Sequence, residues 1–325
     1  MVSFLRFKPT LFRFSLLICL IVIPDVSPGW GFYAHKKINR MAVFALPKPL
    51  FYFYKSHIKI ITDRAVQADK RRYAVELEAP CHYIDLDRYE HIPFDSIPKI
   101  WSAAVEKFGA DSLYAHGIVP WKVQMVYWQL KNAFLENDHA KIIRLSADLG
   151  HYVGDAHVPL HCTSNYNGQQ TDQYGIHALW ESRLPELFGE NYDCLVDDLQ
   201  LIDDIVTFAW NIVEQSSGAV DSVLSIEKNI SNTLPDDQKY IYESRGQGVV
   251  RTYSKQYADS YHLALHGMVE RRFRASVSAV ASLWYSAWVD AGQPELNSET
   301  IMIEEEQISD SLKISPDKII PGHTD

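Results

Sequence analysis

Cysteine is scarce in this chain, with four in 325 residues. One of them, Cys19, lies in the leading apolar segment, which leaves Cys81, Cys162 and Cys194. Three thiols cannot build a disulfide framework, and a chain of this length buries enough core to fold without one. Cys81 directly precedes His82 and Cys162 directly follows His161. If those histidines meet at one site, a single bridge becomes feasible; a bridge and two free thiols both stay open. Basic residues are also in the minority, 31 Lys and Arg against 41 Asp and Glu, for a formal charge of -10. Broad phosphate-tracking surfaces rest on clustered cations, and the chain has no basic stripe. A small anionic group held by metal is still allowed. No internal repeat is visible, and nothing in the sequence indicates a protein partner.

Long hydrophobic runs are missing too. The run from Phe14 to Ile23 spans only about half of a bilayer core as a helix, so no stable membrane span is expected. It follows Arg6, Lys8 and Arg13, ends at Pro24, and leads to the small residues Ser27-Pro28-Gly29. Residues 1–29 therefore read as a secretory signal peptide, with cleavage at Gly29/Trp30 and a secreted or periplasmic product. Cleavage removes three bases and one acid, leaving 28 minus 40, or -12.

What remains is 47% hydrophobic and 12% aromatic over the whole chain, the composition of a folded protein. Apolar residues recur at three- and four-residue spacing from His35 to Leu46, from Pro120 to Phe134, and from about Ala140 to His157. The same spacing predicts helices over His177 to Phe188 and Asp203 to Val213, and one long or two shorter ones from Thr252 to Val289. The fold class is all-α, a single compact helical domain over residues 30–292. Residues 293–325, which carry Glu304, Glu305 and Glu306, read as a flexible acidic tail. Two loops stand out, Ile84 to Pro98 and the Asn-, Gln- and Gly-rich Thr163 to Gly175.

Histidine is the residue in excess, with 13 copies. His151 and Asp155 are four apart on a predicted helix, so both project from one face. His161 would lie on the wrong face of a continuous helix, but Pro159 ends it and lets the chain turn His161 back. His177 and Glu181 form a second pair at the same spacing. Imidazole and carboxylate together suit zinc. Asp69 and the His82-Tyr83-Ile84-Asp85 element offer a further carboxylate and imidazole, and cleavage would place the free α-amine of Trp30 near His35. The other histidines are expected to be structural or exposed, with His157 a candidate second donor to a carboxylate.

These segments, with HYVGDAHVPLH at their centre, resemble the superfamily that joins bacterial zinc-dependent phospholipase C with the single-strand-specific zinc nucleases. The resemblance covers about residues 30–290 and implies a cleft holding three Zn2+ ions. It implies that Asp69, His82 and His151 hold one zinc of a close pair. Trp30 and His35 would hold the other, with Asp155 bridging, while His161, His177 and Glu181 hold a third. Asp69, Arg72 and Asp155 are the expected catalytic residues, and Tyr83 and Asp85 fall where the nucleases bind a base. The implied activity is phosphodiester hydrolysis by metal-activated water. Its substrate is a phospholipid headgroup, or alternatively single-stranded nucleic acid, as for an endonuclease or 3'-nucleotidase. A non-catalytic zinc-stabilised binding module is the remote alternative.

Overall fold

The computed structural model describes residues 31–196, 199–245 and 248–297. The signal-peptide segment, Trp30 and the chain beyond residue 297 lie outside the described residues. Helices come in chain order as α1 (Phe32–Ala42), α2 (Lys48–Ser56), α3 (Ile58–Arg64), α4 (Gln67–Arg71), α5 (Trp101–Phe108), α6 (Ala110–His116), α7 (Val119–Leu135) and α8 (His139–Ala156). A short α9 (Ile176–Ala178) runs through a π-helical turn at Leu179–Arg183 into α10 (Leu184–Phe188). Then follow α11 (Ile205–Ser217), α12 (Val220–Ser231), α13 (Asp236–Lys239), strands β1 (Tyr240–Arg245) and β2 (Gly248–Tyr253), α14 (Lys255–Ala264) and α15 (Met268–Asp290). Of the described residues 68% are helical, and they form one domain, as the apolar spacing implies.

Helix α8 is the axis of the molecule, buried almost continuously from Ile142 to Ala156, with α1, α3, α7, α11 and α15 packed against it. A helix surrounded on all sides has no polar stripe to spare, and Ala147, Gly150, Gly154 and Ala156 supply the small surfaces that let neighbours come close. Asp138 caps its N-terminus by accepting from the Lys141 amide at 3.0 Å. Pro120 stands in the first turn of α7, where its missing N–H costs nothing. From α15, Trp284 stacks on Tyr54 at 4.8 Å and donates to the Ser146 carbonyl at 3.0 Å, fixing α15 to α2 and α8.

Helices α1 and α8 approach each other closely at Gly150. A Cβ at Gly150 would overlap the Asn39 carboxamide, whose Nδ2 donates to the Ala147 carbonyl at 3.1 Å. Gly150→Ala is therefore expected to destabilise the fold by about 1–3 kcal/mol, because Asn39 is fully buried and has nowhere to retreat. Urea unfolding of the two proteins measures this directly; an unchanged midpoint would mean that the two helices separate without cost.

Three features sharpen the sequence reading. Of the two alternatives for the region Thr252 to Val289, it is two helices, divided at Gly267, which adopts the left-handed conformation at φ 76°. Strands β1 and β2 form an antiparallel hairpin, with Tyr240 opposite Tyr253, that no alternation in the sequence foretold. Residues expected to open the tail still pack: Leu296 lies against the core and Trp288 donates to the Pro294 carbonyl at 3.0 Å. Among the described residues no helix is long and apolar enough to cross a membrane.

Candidate metal centre

The last two turns of α8 present His151 and Asp155 side by side, with His151 Nε2 3.2 Å from Asp155 Oδ2. Pro159 opens a 3-10 turn, Pro159–Cys162, that carries His161 back to within 3.7 Å of Asp155 Oδ1. This is the reversal expected of a proline there. The turn pairs with a second one, Ala79–His82: Ile84 N–H donates to the His161 carbonyl at 2.9 Å, and His161 Nδ1 faces the His82 carbonyl at 2.7 Å. The π-helical turn then places Glu181 Oε2 3.0 Å from His161 Nε2 and 3.1 Å from His177 Nε2. Single π turns inside helices recur at functional sites, where they re-aim side chains.

From α1, His35 stacks on His151 with ring centroids 3.9 Å apart and reaches Asp155 Oδ1 at 3.4 Å. It fits because Gly154 leaves room; a Cβ there would stand 3.2 Å from His35 Nδ1. Asp69 on α4 points the same way, 3.6 Å from His151 Nε2 and 3.9 Å from His82 Nδ1. Three sets of potential ligand atoms result: His35, Asp69 and His151; His82, His151 and Asp155; and His161, His177 and Glu181. The structure thus brings together all eight described residues that the sequence reading proposed as ligands. Asp155 directs Oδ2 toward His82 and His151 and Oδ1 toward His35, so its carboxylate lies between the first two sets.

The hydrogen bonding of these residues does not close on itself. His151 Nδ1 lies 2.8 Å from the Ala65 carbonyl, so Nδ1 carries the proton and Nε2 offers a lone pair to the carboxylates. His161 is fixed in the same way by the His82 carbonyl, leaving Nε2 facing Glu181. A lone pair and a carboxylate oxygen 3 Å apart repel unless a proton or a metal ion stands between them. Meanwhile both nitrogens of His35, both oxygens of Asp69, Asp155 Oδ1 and Glu181 Oε1 are buried without a hydrogen-bond partner. Each unmade bond of this kind costs about 1–3 kcal/mol. Cations shared among these atoms remove the cost, so the donor set fits metal.

Without a cation in place the ligands titrate in two ways. Burial lowers the pKa of His35 and pushes that of His82 well below the usual imidazole range, so both are neutral at pH 7 with lone pairs available. For His151 burial opposes the charged form, but Asp155 and Asp69 outweigh it and raise the pKa to about 9, so a proton holds the place between Nε2 and the carboxylates until a cation displaces it. Burial raises Asp69, whereas His151 and its neighbours overcome burial at Asp155 and hold that carboxyl well below its ordinary value. Glu181, also opposed by burial, is brought down to about 2 by His177 and His161.

Other sequence candidates are placed as follows. Arg72 is buried with Nη1 4.0 Å from Asp69 Oδ1, at the centre, while its neighbour Arg71 turns away to Glu78 and Asp148. Tyr83 is only 1% exposed and packs against Gly117, so its ring is not a surface on which a base can stack. Asp85 is 7% exposed, and burial together with Asp87 raises its pKa to about 7. Cys81 and Cys162 are free: Cys81 Sγ donates to the Leu77 carbonyl at 3.2 Å, and Cys162 faces Ser216 and Arg272, so no bridge forms. Two positioning elements escaped the sequence reading, Asn39 and the Gly150/Gly154 pair. Their signal was present, as Asn39 lies four residues after His35 and the glycines flank the ligands at helical spacing.

His157 does not reach a carboxylate; its Nδ1 lies 2.7 Å from the Val153 carbonyl. Burial, then the nearby Arg272, depress its pKa to about 3. The unfolded chain protonates this imidazole near pH 6.5 and the folded one does not, so its contribution is complete above 6.5 and is lost as pH falls toward 3. At pH 5 the loss is roughly 1.5 × 1.36, or about 2 kcal/mol. His157→Gln is expected to lose that share of the difference in unfolding free energy between pH 7 and pH 5. An identical pH dependence in both proteins would assign it to other groups.

No protein-family model matches the chain, and no curated protein matches it. Among solved structures it is similar to the alpha toxin from Clostridium absonum, with a TM-score of 0.45 and 12% identity. The match covers 82% of this chain and 65% of that one, so this chain spans less than two thirds of the toxin. A likeness at that level assigns neither a family nor an activity.

Proposed function

We propose that the protein is an exported zinc-dependent phosphodiester hydrolase of the phospholipase C type. The observation that carries this reading is the convergence of buried lone pairs and carboxylate oxygens that no proton donor satisfies. Mixed imidazole and carboxylate donors favour zinc over magnesium or calcium. His35, Asp69, His82, His151 and Asp155 would hold two ions, with Trp30 completing the set once the leader is removed. His161, His177 and Glu181 would hold a third. Zinc in such positions supplies Lewis acidity for an attacking water and a phosphoryl oxygen.

The chain's own groups supply the rest. Asp69 has two oxygens free of hydrogen bonds, and one can orient the attacking water and take its proton. Arg72, held beside Asp69, offers a guanidinium to the charge that grows on the phosphoryl group. Near-complete burial of all eight described ligands keeps bulk water from competing for these contacts.

A phospholipid headgroup is favoured by the surroundings. A cavity of about 550 Å³ is lined by Cys162 and Thr163, the two residues that follow His161 in the chain, and by none of the eight ligands themselves. Asp87, Glu90, Glu214 and Asp221 line it and no Lys or Arg does, a field that repels a nucleic-acid strand and suits a cationic headgroup. The buried Tyr83 points the same way, because it offers a base no platform.

The deciding experiment assays processed, zinc-loaded protein in parallel on phosphatidylcholine and single-stranded DNA and counts zinc per chain. Phosphocholine release with about three zinc ions is the expected result. DNA cleavage without it would transfer the reading to the nuclease alternative, and absence of both zinc and hydrolysis would end it.

A further inference from the structure

Behind His82 lies a carboxylate to which nothing so far gives a role. Glu78 stands just before the 3-10 turn that carries His82, and it is 6% exposed. Its Oε1 accepts from Arg71 Nη2 at 3.3 Å and from the Tyr152 hydroxyl. Arg71 is anchored in turn, donating through Nη1 to Asp148 Oδ1 at 3.2 Å. Glu78 is therefore held from two sides by groups outside the three ligand sets. The same Oε1 lies 3.9 Å from His82 Nε2.

The orientation of His82 gives that separation its meaning. Its Nδ1 faces the centre, 2.9 Å from Asp155 Oδ2 and 3.0 Å from His151 Nε2. Its Nε2 faces outward and is buried without a hydrogen-bond partner. An imidazole that gives the Nδ1 lone pair to a metal must carry its proton on Nε2. A buried N–H then requires an acceptor, and the carboxylate facing it is Glu78. His151 and His161 solve the same problem with backbone carbonyls, of Ala65 and His82. His82 has no such carbonyl.

We propose that Glu78 is a positioning residue for His82. It accepts the Nε2 proton, sets the tautomer that leaves Nδ1 free for metal, and fixes the ring's orientation. A shift of about 1 Å closes the gap to a normal hydrogen bond. The proposal rests on the reading of His82 as a ligand and extends it to a residue that does not touch the metal.

The test measures zinc affinities of wild type, Glu78→Gln and Glu78→Leu by competition with a chelator, alongside imidazole 15N NMR of the zinc-loaded wild type. Gln keeps a carbonyl acceptor and partners for Arg71 and Tyr152, so it guards against misfolding, while Leu removes the acceptor. The expected result is that His82 carries its proton on Nε2. Zinc at the His82 set is expected to bind roughly 10- to 100-fold more weakly in the Leu variant and by less in Gln, with affinity at the His161, His177 and Glu181 set unchanged. Wild type that takes up zinc, with variants that bind it equally well or a His82 protonated on Nδ1, overturns the proposal alone. Wild type that binds no zinc overturns the proposed function and this inference together.

Discussion

Asp155→Asn is expected to reduce the proposed phosphodiester hydrolysis by at least about a thousandfold, equivalent to ~4 kcal/mol of transition-state stabilisation. Asp155 is fully buried, and its two oxygens serve different neighbours, His82 and His151 on one side and His35 on the other. Asparagine keeps the shape but replaces one oxygen with an NH2 group, which cannot ligate and which carries no charge to balance cations. Zinc should be lost from both sets that meet at Asp155 and kept by His161, His177 and Glu181. Metal analysis of the folded variant, together with its kcat/KM, checks both parts. Near-wild-type turnover with full zinc would show that the carboxylate is dispensable and would remove the basis for a paired centre.

Glu227→Ala is expected to destabilise the fold by about 3–5 kcal/mol, because it leaves Lys239 buried and unpaired. Glu227 is fully buried and accepts from Lys239 Nζ at 2.9 Å, Tyr257 Oη at 2.5 Å and Gln173 Nε2 at 2.6 Å. The melting temperature should drop by on the order of 10 °C. Gln173 belongs to the polar loop leading into His177, so the variant should also surrender the third zinc to a chelator more readily than wild type. Glu227→Leu combined with Lys239→Met is expected to recover most of the stability without restoring the Gln173 contact. A loss below 1 kcal/mol in the single variant would indicate that water reaches Lys239.

Those two residues also mark the limit of what the sequence discloses. The ligands of α8 and α9 are legible because helical spacing converts sequence separation directly into direction. His151 with Asp155 and His177 with Glu181 each fall at i and i+4, and Pro159 announces the turn that recovers His161. The helices that contain them are legible for the same reason. Glu227 and Lys239 cannot be read this way, since nothing in an isolated Glu or Lys states that another element will cover it. Assignment of ligands to sets depends on side-chain rotation, which the spacing does not contain: His151 reaches two sets, and the resemblance implies one. The hairpin was missed because its alternation is weak. It exposes Tyr242 and Val249, and its anchors are Tyr253 and the pairing of Glu243 with Arg183 at 2.6 Å, a partner 60 residues away. Tyr83, which resemblance places where a base binds, is buried against Gly117, a burial its sequence neighbours do not announce.

The wide sequence span of the centre carries a last consequence, for the unfolded chain. His35 and Asp155 are 155 minus 35, or 120, residues apart, and Glu181 lies further on. An ion gripped by His35 and Asp155 is a cross-link that closes a very long loop. For a covalent bond the chain-entropy model gives a 100-residue loop about 4.7 kcal/mol of stabilisation. The three described cysteines are free thiols, and zinc would supply the cross-link that a disulfide otherwise gives. Loading would then govern how fast the protein comes apart as well as what it hydrolyses, and a chelator would shorten its lifetime against proteases.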